Sequence, residues 1–224
     1  MMAQMDLLKT ALSFDDILLL PQYSDIQTRN DIKIKQNLEK VDVYSLPIIS
    51  SPMDTITGEA MVTAMNESGG TAILHRYNTI DEQSKMVMNV TSRGHTVGAA
   101  IGIGDDCIDR ALALTRSGVT FLCIDVAHGH HSKVQKALKE LRHTLGSEMH
   151  IMAGNVATLE AFNDLADWGA DSIRVGIGGG SICSTRIQTG HGMPTLQSVM
   201  DCAQSDRDAA LIADGGIRTS GDIV

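Results

Sequence analysis

The stretch RVGIGGGSICSTR, residues 174–186, decides how the chain is read. It continues an apolar run that begins at Ser172 (SIRVGI), then breaks into three consecutive glycines and a single cysteine, Cys183. A short, β-branched apolar run bounded by glycine predicts a strand buried on both faces. Glycine permits turns and close approaches that a Cβ would block. Gly178, Gly179 and Gly180 can therefore wrap a phosphate or an ion with main-chain groups. A thiol just past such a loop is placed to act as a nucleophile. The alternative is a glycine-rich turn before an ordinary buried cysteine.

The same layout recurs on both sides of this stretch. LPIISS, TAILHR (71–76), TVGAAIG (96–102), FLCIDV (121–126) and HIMAGNV (150–156) read as strands upstream, and ALIADGG (210–216) reads as one downstream. Helical spacing separates them over 58–67, 81–89, 106–116, 134–144, 159–168 and 196–203, with a further helix starting near Ser220. Near-continuous apolar strands alternating with helices predict an α/β fold with a parallel sheet. Two architectures compete, the open doubly wound sheet and the TIM (β/α)8 barrel. Residues 50–54, His75-Arg76, 125–128, Gly154-Asn155, 178–183 and 214–216 carry the unusual chemistry, and each group falls where a strand ends. A barrel gathers all such ends into one mouth, whereas an open sheet concentrates them at a switch point. The barrel is expected. Seven strands are one short of eight, and barrels of this kind run to about 250 residues. A single truncated barrel domain over residues 1–224, incomplete at its C-terminus, is the expectation.

Composition narrows the function. Lys and Arg total 18 against 27 Asp and Glu, a net charge of −9, which disfavours nucleic acid as a partner. A phosphate site remains open, because backbone amides need no basic protein. Cys107, Cys123, Cys183 and Cys202 form no C-x-x-C pair, as expected of reduced thiols in the cytoplasm. No apolar run is long enough to cross a membrane, and the first ten residues, MMAQMDLLKT, lack a signal-peptide core. His128, His130 and His131 invite a zinc reading, but no second ligand cluster accompanies them. The adjacent acids Asp15 and Asp16 are read as a cap or a solvated pair rather than a catalytic dyad. The twelve methionines are read as core filling.

FDDILLLP, SSPMDT, the His75-Arg76 pair, VGAAIG, DVAHGHH, AGNVAT, VGIGGGSICSTR and IADGGIRTSGDI occur in this order from residue 12 to the end. Together they resemble the IMP dehydrogenase and GMP reductase family of (β/α)8-barrel purine nucleotide oxidoreductases. The resemblance implies that Cys183 attacks carbon 2 of the purine and that Thr185 serves proton transfer or water positioning. It implies that Ser51 and Ser181 hold the nucleotide phosphate and that Met53 lies beside the base. Asp214 would bind the ribose hydroxyls, with Gly215 and Gly216 giving close backbone approach. Asp125, Asn155, Gly176 and Gly178 would line the nicotinamide side, for NAD or, in a reductase, NADPH. The carbonyls of Gly178, Gly180 and Cys183 would contribute to a monovalent-cation (K+) site. A homo-oligomer, a tetramer, is implied as well.

The wording of SSPMDT, VGAAIG and GGGSIC resembles dehydrogenases, which make XMP from IMP. The direct passage from the second strand to the third leaves no room for a CBS pair, which is usual in reductases, and TRNDI near Arg29 also looks reductase-like. The dehydrogenase is the first expectation and an NADPH-dependent GMP reductase the second. An inactive fragment that binds nucleotide or joins a full-length homologue is the third.

Overall fold

A computed structural model of the chain describes residues 10–41 and 43–224. The first nine residues, part of the segment read above for a signal core, lie outside the described residues. Two short strands come first, β1 (Gln36–Asn37) and β2 (Val43–Tyr44), paired antiparallel. Patterning did not reveal this ribbon, because two-residue arms are too short to show a period. Seven parallel strands follow, and each matches one of the strand patterns read above. They are β3 (Ile49–Ser50), β4 (Thr71–Leu74), β5 (Gly98–Ile101), β6 (Phe121–Asp125), β7 (His150–Val156), β8 (Ser172–Val175) and β9 (Ala210–Ala213). Their order in space is their order in sequence.

Each crossover carries a helix: α1 (Glu59–Glu67), α2 (Ile80–Thr91), α3 (Cys107–Arg116), α4 (Ser132–Leu145) and α5 (Leu159–Asp167). Between β8 and β9 come α6 (Thr185–Thr189) and α7 (Thr195–Cys202), and α8 (Ser220–Ile223) follows β9. Of these, α6 was not expected. Its five residues, TRIQT, contain one large apolar side chain and so show no stripe. The strand expected over 172–177 ends at Val175, where the glycine loop begins.

Alternation along the strands separates two cores. On β6, Leu122 and Ile124 face the helices and join Leu74, Ile101, Leu114, Leu138 and Phe162. Phe121 and Cys123 face the other way, into a cluster with Ile73, Ala100 and Met152. Ile49 of β3 and Ile212 of β9 pack against that same inner cluster. The first and last strands can share one core only if the sheet curls, and that curl makes the α/β fold an incomplete TIM barrel of seven strands. Leu38, next to β1, and Tyr44 of β2 are buried in the inner cluster. Gly98 is required here, since a Cβ on it would lie 2.3 Å from the Phe121 ring.

His150 opens β7 fully buried. The Glu39 carbonyl, 2.6 Å away, can only accept, so Nδ1 carries the proton and donates, while Nε2 accepts from the Ser172 hydroxyl at 2.8 Å. This ties the ribbon to the sheet. The LSFDDILLLP run, by contrast, is not core: Leu18 is 97% and Leu20 80% exposed. Asp16 caps Ser13 at the turn, with bonds from its N–H (2.6 Å) and hydroxyl (2.7 Å), and Asp15 pairs with Arg218. The expected cap is present. No helix among the described residues is long and apolar enough to cross a membrane.

Candidate active site

Because all seven strands are parallel, their C-terminal ends open on one side. A cleft of about 2640 Å³ takes in those ends and the open inner face of the sheet as far as Leu38 and Tyr44. Ser51, Met53, Asp125, Asn155, Gly176, Gly178, Gly180, Ser181, Cys183, Thr185, Asp214, Gly215 and Gly216 all line it. The structure thus brings these thirteen candidate residues to one cleft, and His75, His128, His130 and His131 lie outside its lining. His128 and His131 stack edge to face, and His130 bonds Asp164 at 2.8 Å. Among the described residues no group of three or more His, Cys, Asp or Glu could hold a metal ion.

Cys183 differs from the other three cysteines. Cys107, Cys123 and Cys202 are buried, and burial pushes their thiols up to about 11, 12 and 11. Cys183 is only half-buried, on the loop between β8 and α6. Hydrogen bonds from the side chain and backbone of Thr185 hold its thiol below the ordinary value, and the Gly178 backbone and Arg186 assist. Such a thiol is the one most easily deprotonated and most reactive.

The β8 and β9 loops approach each other through glycine. A Cβ on Gly176 would sit 1.9 Å from the Asp214 carbonyl oxygen, and Gly176 adopts a φ of +149°. That contact delivers Asp214 to the cleft. Its Oδ2 accepts from Arg174 Nη2 (2.8 Å) and Asn155 Nδ2 (2.5 Å). The Asn155 amide also donates to the Gly176 carbonyl at 2.9 Å. Arg174 Nη1 reaches Asp125 Oδ1 at 2.7 Å. Asn155, expected on the cofactor side, therefore shares one cluster with Asp214. Arg174 is the residue that pattern reading missed. The available signal was a lone cation inside an apolar strand, and a buried cation must be paired.

Past β3, the fully buried Thr57 donates its hydroxyl to the Ser51 carbonyl at 2.5 Å and accepts from the Ser50 hydroxyl at 3.1 Å, fixing the SSPM turn. The hydroxyls of Ser51 and Ser181 bond no described residue and remain available to a ligand. For a cation, the loop offers the Gly178, Gly180 and Cys183 carbonyls, and that of Gly180 already accepts from the Cys183 N–H at 3.1 Å. Three oxygens are about half the shell of a hard cation.

Residues 11–224 match the family model described as IMP dehydrogenase / GMP reductase domain. The chain belongs to this family. It is 34% identical to the inosine-5′-monophosphate dehydrogenase of Cryptosporidium parvum, over 95% of this chain and 63% of that protein. It is 33% identical to the enzyme of the same name from Borreliella burgdorferi, over 96% of this chain and 66% of the relative. A GMP reductase of Leishmania major is 27% identical over 96% of the chain and 71% of its own length. The fold superimposes with a TM-score of 0.88 on the crystal structure of inosine 5′-monophosphate dehydrogenase from Legionella pneumophila, at 44% identity, covering 96% of this chain and 65% of that one. The chain therefore spans just under two thirds of the first two relatives and of the Legionella structure.

Proposed function

We propose that this member of the IMP dehydrogenase / GMP reductase family is one catalytic barrel domain that oxidises IMP to XMP with reduction of NAD. The observation that carries the proposal is the half-buried Cys183, held as an acidified thiol by Thr185 in the same cleft as the Asp214 carboxylate. The Cys183 thiolate adds to carbon 2 of the purine and makes that carbon tetrahedral. NAD, when bound, accepts the hydride that leaves carbon 2. The remaining thioimidate is attacked by water, the carbon–sulfur bond breaks, and the products are XMP, the regenerated thiolate and a proton. Covalent attachment splits one difficult substitution into two easier steps.

In this reading Thr185 first holds the thiolate and then positions the water. Ser51 and Ser181 take the phosphate, Met53 packs beside the base, and Asp214 with Gly215 and Gly216 receives the sugar. Asp125, Asn155, Gly176 and Gly178 form the cofactor side. A K+ ion at the Gly178, Gly180 and Cys183 carbonyls would need further oxygens from another segment. The exposed apolar residues Leu18, Leu20 and Tyr23 support a homo-oligomer as the working form, and the cytoplasm is the proposed compartment.

A GMP reductase is the second reading. It is supported by the direct link from β4 to β5, where residues 75–97 hold α2 alone, and by the Leishmania relative. There the same thiol would attack GMP, ammonia would leave, and NADPH would supply the hydride that yields IMP. Absorbance at the reduced-nicotinamide band decides between them. A rise with IMP and NAD is expected, a fall with GMP and NADPH would favour the reductase, and silence in both from folded protein would leave only a nucleotide-binding fragment. Cys183→Ala is expected to abolish turnover and spare nucleotide binding. Appreciable residual turnover would remove Cys183 from the nucleophile's place.

A further inference from the structure

We infer that Arg174 is a positioning residue that sets how Asp214 presents itself to the nucleotide sugar, an inference resting on the reading above in which Asp214 receives that sugar. Arg174 lies on β8, with its side chain only 9% exposed. Its two terminal nitrogens are divided between strands: Nη1 goes to Asp125 at the end of β6 and Nη2 to Asp214 just past β9. Gly154 on β7 makes room for it, since a Cβ there would lie 2.6 Å from the Cβ of Arg174. Asn155 adds a second donor to the same Asp214 oxygen.

Two carboxylates brought together in a half-buried mouth would repel each other and turn toward water. The planar fork of a guanidinium fixes both in one plane and neutralises one of their two charges, a geometry that the point charge of a lysine does not reproduce. Buried ion clusters of this kind contribute little net stability relative to well-packed apolar side chains, so stability alone does not account for it. What the cluster does produce is an asymmetric acceptor. Oδ2 of Asp214 is filled by two donors, and Oδ1 bonds no described residue. One oxygen with both lone pairs free, held on a carboxylate that cannot rotate, suits the two adjacent hydroxyls of a ribose. Because the orientation is set before binding, little ordering cost falls on the ligand.

The test is direct titration of the full chain, without cofactor, using IMP and its 2′-deoxy analogue. The unsubstituted chain is expected to bind IMP about tenfold or more tightly than the analogue, the scale of one hydrogen bond to a charged group. In Arg174→Lys that ratio is expected to fall below about threefold, through loss of IMP affinity with the analogue's affinity nearly unchanged. In an Asp214→Asn background, Arg174→Lys should then change nothing further. A purely structural arginine would lower the melting temperature and leave the ratio intact. Full discrimination retained by Arg174→Lys overturns the inference while the sugar contact stands. Absence of discrimination, or of IMP binding, in the unsubstituted chain overturns the sugar contact itself, and the inference with it. Should Arg174→Lys fail to fold, the double variant Arg174→Gln/Asp125→Asn removes the cation together with one carboxylate and must lose the same ratio.

Discussion

At the scale of single residues, the four cysteines form a controlled comparison. Three are buried with raised pKa values, and one is half-buried with a lowered value. Alkylation by iodoacetamide near neutral pH, followed by peptide mass spectrometry, is expected to modify Cys183 first and the others only on unfolding. Thr185→Val removes the side-chain bond that favours the thiolate, so the midpoint of the alkylation-versus-pH curve must move to higher pH. An unchanged midpoint would sink the assignment of Thr185 to the sulfur. Cys183 was legible in the sequence because a glycine loop and a thiol sit side by side in the chain. The partners of Arg174 were not, because Asp125 and Asp214 lie 49 and 40 residues away and meet only when three strands align.

At the scale of elements, the strands were legible because buried parallel strands are almost uninterrupted apolar runs. The β1/β2 ribbon and α6 were not, being shorter than any period that could announce them. The leucines of the apolar run LSFDDILLLP stand in solvent. Two consequences of strand packing can be measured. Gly98→Ala drives a methyl into the Phe121 ring and is expected to cost about 1–3 kcal/mol in urea unfolding; Phe121→Leu in the same chain should recover part of it. Burial pushes the His150 imidazole below its ordinary value of 6.5. The unfolded chain therefore takes up that proton first, and stability is fully present above pH 6.5 and lost as pH falls below it. The thermal midpoint should drop on acidification through that window, and His150→Gln should flatten the drop. A midpoint insensitive to pH in the unsubstituted chain would contradict the buried, neutral ring.

At the scale of the molecule, the sheet has two outer edges among the described residues, on β3 and on β9. The N–H groups of Ala210 and Asp214 bond Asp171 and Val175 of the β8 segment. Alternation then turns the N–H groups of Leu211 and Ala213 outward, away from β8. Hydrogen exchange is expected to be fast at Leu211 and Ala213 and slow at Leu122, Ile124 and Met152; equal protection would mean that the edge is covered. The barrel was legible because the chemistry falls at strand ends, and that placement has a consequence in time. Strands neighbour each other in the order in which they are made, so a nascent chain can add each unit to the one before it. Cys183 and Asp214 follow the eighth and ninth strands, and both partners of the Asp214 oxygen precede it. The Cys183 thiol and the acid that shares its cleft therefore take shape only after the strands that carry them have been made.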